Sequence, residues 1–320
     1  MALGTGKVAL VVGASRGIGR QIAIDLAKNE YSVVVSAKST SDARSATAPF
    51  PPDPNSPQST ISTVEREIGE AGGRATAIPV DVRDQSSVQN LVNKTVETYG
   101  RLDVLVYNSG AIWWASVQDT PVKRFQLMQR VNPEGLYGAV SAALPHLKRS
   151  ADGGGRIIVV SPPIYSRFFR GKTAYAMGKV GMSVLTKGLA MDFERQGLEG
   201  MAITSLWPAV AIESAATRAL TTRNPSEARD LRRATIFSDA VVAILRAPAA
   251  SVNGLLALDE DFLRSEVGGG VTDFSGYAVV KGAEPRRIMP ARLPDLRVAE
   301  QEDEGRRMDS SKEEGRRVKL

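Results

Sequence analysis

Short runs of residues that are apolar on both faces alternate with longer segments whose apolar residues recur every three or four positions. The runs at 7–13, 31–37, 74–81, 102–108, 155–161, 200–207 and 253–259 read as strands. Continuous rather than alternating apolarity is what a strand covered on both faces requires. The segments 18–29, 60–72, 84–99, 121–149, 173–196 and 238–246 carry the helical period. This alternation predicts an α/β fold: a single Rossmann-type doubly wound parallel sheet of about seven strands, with helices on both faces. Two segments break the rhythm. Residues 39–62 are rich in Pro, Ser and Thr and predict a long loop after the second strand. From about Glu284 the apolar period stops, and acids and bases alternate to the end, as in Glu302 with Arg306 and Glu313 with Arg317. The expected division is a folded unit over 1–283 and a solvated charged tail over 284–320, disordered or a lone helix.

Composition narrows the chemistry. With 42% hydrophobic residues, a 320-residue chain can build a sizeable core. The net charge of +6 is spread among interleaved acids, so the concentrated basic stripe of a nucleic-acid partner is missing. A phosphorylated cofactor is the better match for that charge. There is no cysteine, which removes thiolate chemistry and thiolate metal sites, and the one histidine, His146, reads as a helix-surface residue. No metal site and no membrane span are expected. The first strand begins by Val8, leaving no room for a leader, so a cytoplasmic protein is expected. Val318-Lys319-Leu320 resembles the peroxisomal S-K-L address at its last two positions only.

The candidate cofactor loop is "VVGASRGIGRQIA" (11–23), between the first strand and first helix. Gly13, Gly17 and Gly19 allow a tight turn and close approach of backbone to a diphosphate, which then meets the positive end of the helix dipole. Ser15, Arg16 and Ile18 complete that loop. The second strand ends Ser36-Ala37-Lys38, with no acid to accept from a ribose 2′-hydroxyl. Lys38 and Arg16, with Ser15 and Ser36 as hydroxyl partners, suit a 2′-phosphate and favour NADP over NAD. Asp81 and Val82 after the third strand are placed to cradle adenine; Asp81 could instead only cap the next helix. "NSGA" (108–111), with Asn108 and Gly110, gives a small-residue turn where the middle of the cofactor would lie.

Tyr175 and Lys179 lie four apart, one turn along one face of the helix 173–196. A phenol normally titrates near pH 10, and an adjacent ammonium favours the phenolate, which suits a general acid–base.

Together, "GASRGIG", "YNSGA", "RVNPEG" and "YAMGK" resemble the short-chain dehydrogenase/reductase family over about residues 7–283. Within it, "VVSPP", "DTPVKRFQLM", "LWPAVAIESAA" and "LALDEDFL" are similar to the hydroxysteroid dehydrogenase-like protein 2 group, whose longer members add a sterol-carrier-type domain. The resemblance implies that Tyr175 donates or accepts the proton and that Lys179 binds the ribose and tunes it. It implies that Asn132 holds a relay water, with plain bonding to nearby backbone as the other reading. Pro208 and Ala211 would flank the nicotinamide, although the family's usual Pro-Gly is here Pro208-Ala209. It also implies a homo-oligomer, built through the helices 121–149 and 173–196.

One position departs from the family. A serine should stand thirteen residues before the tyrosine, and Pro162 is there. Proline has no side-chain donor. Ser161 is adjacent but leaves a strand in the opposite direction, so it serves only if the prolines re-aim the chain. Tyr165, Ser166 or a water are the other candidates for the substrate oxygen. Losing one such donor costs roughly a hundredfold in rate. Trp113, Trp114, Phe168 and Phe169 flank the predicted pocket and suit an apolar substrate, if they are not simply packing. The expectation is therefore an NADP-dependent oxidoreductase acting on a hydrophobic carbonyl or alcohol. A non-catalytic NADP-binding sensor or scaffold, and an NADPH-dependent imine or activated-alkene reductase, are its rivals.

Overall fold

Alternate residues of the first strand enter two separate cores. Ala9 and Val11 pack into one cluster, and Leu10 and Val12 into another on the opposite face of the sheet. Each buried Val or Leu side chain contributes about 1.5–3 kcal/mol, and this is what a strand apolar at every position gains from a sheet covered twice. The computed structural model describes residues 3–42, 50–150 and 154–293. The end Val318-Lys319-Leu320 and the side chain of Ser166 lie outside what it describes.

The strands are β1 (Val8–Val12), β2 (Ser32–Ala37), β3 (Arg74–Pro79), β4 (Val104–Tyr107), β5 (Arg156–Val160), β6 (Ala202–Trp207) and β7 (Leu256–Leu258). They form one parallel sheet in the order β3-β2-β1-β4-β5-β6-β7. Helices α1 (Gly17–Lys28) and α2 (Ile61–Glu70) cover one face, and α3 (Gln85–Tyr99) the other. The strand order reverses between β1 and β4, so their carboxyl ends open the crevice in which such sheets bind ligands.

The helix expected over 121–149 is two helices, α4 (Val122–Gln129) and α5 (Gly135–Leu147), joined by one wider turn over Arg130–Glu134. Pro133 sits in that turn; lacking an N–H, it cannot extend a regular ladder. The helix that carries Tyr175 and Lys179 is α6 (Thr173–Arg195). Helix α7 (Ala215–Arg223), which the periodicity does not predict, buries no residue and so has no apolar stripe to read. Helix α8 (Thr235–Arg246) closes the α1 side of the sheet. No helix among the described residues is long and apolar enough to cross a membrane.

The charged tail does not begin at Glu284. Residues 284–293 dock as a strap: Ile288 and Met289 both donate to the Ala209 carbonyl, at 2.8 and 3.2 Å, and Met289 is buried. Arg287 anchors the strap on Asp261 at 2.8 Å, and Arg286 pairs with Asp230.

Candidate active site

The glycines of the β1–α1 turn are demanded by their neighbours. Gly13 has φ +89°, and a Cβ there would lie 2.6 Å from the Ser109 backbone nitrogen. A Cβ on Gly19 would meet the Gly13 carbonyl oxygen at 2.1 Å. Asn108 Nδ2 donates to that same carbonyl at 2.8 Å, so Asn108 ties the carboxyl ends of β1 and β4 together. Helix α1 starts at Gly17 with no side-chain cap from Arg16 and no acid in its first turn. Its dipole is left for an external anion, and this fits a dinucleotide's diphosphate beside Ile18. Part of the turn is already covered by the Pro-rich loop: Gly17 N donates to the Pro54 carbonyl at 3.0 Å, and the Ser59 hydroxyl to the Ser15 carbonyl at 2.7 Å.

At the end of β2, Arg16 donates to the Ser39 hydroxyl at 3.2 Å, and Lys38 Nζ reaches Asp81 at 3.1 Å. Asp81 does not cap α3, a task taken by Asp84. Its carboxylate instead binds Arg83 and Lys38, which hold it well below the usual carboxylate range. Val82 is partly buried against the core beside it. Ser36 does not serve as expected: it is fully buried in the sheet and its one hydroxyl proton is donated to the Ile78 carbonyl at 2.7 Å, away from a 2′-phosphate. The cluster still sets Lys38 and Arg83 against one carboxylate, with Arg16 nearby on Ser39.

Tyr175 and Lys179 come together on α6 as their spacing predicts, buried to 3% and 4% exposure. Lys179 Nζ donates to the Val160 carbonyl at 2.8 Å and lies 5.6 Å from the Trp207 ring centroid. No carboxylate among the described residues pairs with it, and burial lowers its pKa to about 7. Burial pushes the Tyr175 phenol upward, so the depression expected from a neighbouring ammonium is outweighed by the loss of water around both groups. Gly110 brings the β4 turn against this pair, its Cα position opening toward Lys179 Nζ and Asn132 Oδ1. Asn132, fully buried in the wide turn, accepts from Ala111 N at 2.8 Å and donates to Ala111 O at 3.1 Å. It clamps the α4–α5 junction to the β4 turn.

Ser161 is not brought to Tyr175. Its hydroxyl bonds Ser205 at 2.8 Å and accepts from Ser183 at 3.0 Å, in a buried hydroxyl cluster that Thr186 completes. The prolines do not re-aim it; Ser183 also donates to the Pro162 carbonyl at 2.6 Å and holds the segment in place. Around Tyr175 stand rings instead: Trp114 at 6.3 Å, Phe168 at 6.1 Å, and Trp207 packed on Phe168 at 5.7 Å. Tyr165, Phe169 and Trp113 pack against the same cluster, and Trp113 Nε1 is buried without an acceptor among the described residues.

Several site residues are absent from the sequence expectation. Asp259, at the end of β7, accepts from Ala209 N and Glu260 N, both at 2.8 Å. Burial raises its pKa to about 7. With the strap bonded to the Ala209 carbonyl, the turn after Pro208 is gripped from both sides, and Ala211 continues it by accepting from Arg232 N at 2.8 Å. An acid at the C-terminal end of a strand was the available signal. For Lys172 and Met289, which also face this region, no local signal exists.

A glycine-rich turn at the sheet's switch point, with a buried tyrosine–lysine pair across the crevice, defines a dinucleotide-dependent oxidoreductase site. The chain belongs to the short-chain dehydrogenase family: its family model, short chain dehydrogenase, matches residues 7–51 and 55–222. The family binds a nicotinamide cofactor. Among proteins it resembles, hydroxysteroid dehydrogenase-like protein 2 of Danio rerio is 37% identical over 284 residues, 87% of this chain and 63% of that protein. The chain thus spans less than two thirds of the length of the curated relatives it matches. Among solved structures, a putative dehydrogenase from Xanthomonas campestris superposes with a TM-score of 0.76 at 35% identity, covering 94% of this chain and all of that one. A short chain dehydrogenase from Mycobacterium thermoresistibile gives 0.75 at 35% identity, over 88% and 93% of the two chains.

Proposed function

We propose that the protein is an NADP-dependent oxidoreductase that interconverts a hydrophobic carbonyl compound and its alcohol. The observation that carries this reading is the buried Tyr175–Lys179 pair set in a ring of apolar side chains. The nicotinamide, when bound, supplies or takes up the hydride. Tyr175 gives its proton to the oxygen that becomes the hydroxyl. A phenol pushed upward by burial stays protonated at neutral pH, yet an alkoxide is a far stronger base and takes the proton readily. Carbonyl reduction is therefore the favoured direction. Lys179 holds its donors toward Val160 and the crevice, and Asn132 keeps the wall opposite in register. Arg16 and Lys38 support a 2′-phosphate and hence NADP.

The commitment of Ser161 to Ser205 and Ser183 favours a second reading, a cofactor-binding sensor without turnover. The two separate on Tyr175→Phe. In an enzyme, oxidation of NADPH by a panel of apolar ketones and aldehydes falls at least about a hundredfold while cofactor affinity is kept. Equal rates in variant and wild type would sink the catalytic reading. Tyr137, Met177, Val184 and Met191 are exposed on α5 and α6, which supports a homo-oligomer through that face.

A further inference from the structure

Several cations around the candidate site have polar partners; the Lys172 ammonium, like the Arg124 guanidinium over the Trp113 ring, is held by rings instead. Lys38 pairs with Asp81, Arg287 with Asp261, and Lys179 with the Val160 carbonyl. Lys172 is half-buried; its backbone N–H donates to the Phe169 carbonyl at 3.2 Å, while its ammonium has no hydrogen-bond or ion-pair partner among the described residues. Its ammonium lies 4.4 Å from the Phe168 ring centroid and 5.8 Å from that of Trp114. These are the two rings that flank Tyr175. Ring faces attract a cation, but they leave its N–H donors without acceptors.

We propose that Lys172 recognises the substrate: the pocket takes apolar carbonyl compounds that carry a carboxylate, with the acid on Lys172 and the apolar body against Trp114 and Phe168. This deepens the proposed function and rests on the same pocket. Three further observations support it. Lys172 is itself the N-cap of α6, whose first turn holds no acid, so the helix dipole adds to the same positive field. Burial lowers the pKa of Lys172, which is the state of a cation awaiting a counter-charge. Finally, Lys172 stands just ahead of the first turn of α6, and its ammonium and the Tyr175 ring meet the same two rings, Phe168 and Trp114.

The test uses the full chain saturated with NADP and two probes of one skeleton, para-formylbenzoate and its methyl ester. Dissociation constants come from quenching of tryptophan fluorescence, two of the three tryptophans being in this cluster. In the wild type the acid should bind about tenfold more tightly than the ester, and added salt should weaken the acid alone. Lys172→Met should abolish the preference, and Lys172→Arg should keep most of it, with NADP affinity as the check on folding. Equal affinity of acid and ester in the wild type overturns the proposal, as does binding of neither or a preference unchanged in Lys172→Met. Turnover has no part in this readout. The same acid offered with NADPH separates the two readings: bound through Lys172 but not reduced, it leaves the anion site standing and counts only against reduction of that probe.

Discussion

Lys179 should destabilise the fold that it serves. Its ammonium is buried, and its pKa falls from 10.5 to about 7 on folding. A base with a depressed folded-state pKa costs stability wherever it is protonated. That cost is complete below about pH 7 and disappears as the pH rises toward the unfolded-state value. The shift corresponds to about 4 kcal/mol at pH 7 and about 2 kcal/mol at pH 9. Lys179→Met keeps the stem and deletes the charge. It also deletes the bond to the Val160 carbonyl, a loss of about 1–2 kcal/mol at either pH. The variant should therefore be about 2 kcal/mol more stable than the wild type at pH 7, with no advantage at pH 9. Urea unfolding of the cofactor-free protein at the two pH values, analysed by linear extrapolation, reads the difference. The comparison cancels Tyr175, Asp259 and every other titrating group common to both proteins. A stability difference that is the same at both pH values would refute the reasoning.

Two further outcomes follow from the cofactor crevice. Gly19→Ala puts a methyl 2.1 Å from the Gly13 carbonyl oxygen, which is backbone and cannot swing away, so unfolding should come at least about 2 kcal/mol more easily and dinucleotide binding should fail. Replacing Arg16 by Ala together with Lys38→Glu should weaken NADPH about tenfold or more while sparing NADH, measured by titration of cofactor fluorescence; an unchanged ratio of the two affinities would remove the case for the 2′-phosphate.

The parts legible in the sequence are those set by local pattern. The central strands read through because burial on both faces demands unbroken apolar runs, as in Val8–Val12, whereas the edge strand β3 is largely half-buried or exposed. The glycine turn and the tyrosine–lysine pair read through because each sits within one turn of chain. Features made by distant segments did not. Pro133 was visible, but the wide turn that carries Asn132 to Ala111 depends on where β4 ends. Helix α7 offers no apolar stripe. Strand alternation correctly sends Ser161 away from position 162, whereas its partners Ser205 and Ser183 come from β6 and α6. The strap at 284–293 reads as polar because its anchoring arginines find acids far away in sequence, at Asp230 and Asp261.

That strap also fixes where the rest of the chain departs. Met289 and Leu293 pack in the cluster that contains Tyr175, so the last described residues end beside the candidate site. A carrier module or reporter joined there by a short linker is held near the pocket at a local concentration on the order of millimolar. Such a passenger could deliver a ligand or obstruct its entry with little affinity of its own, and its linker length would become a kinetic parameter of the enzyme.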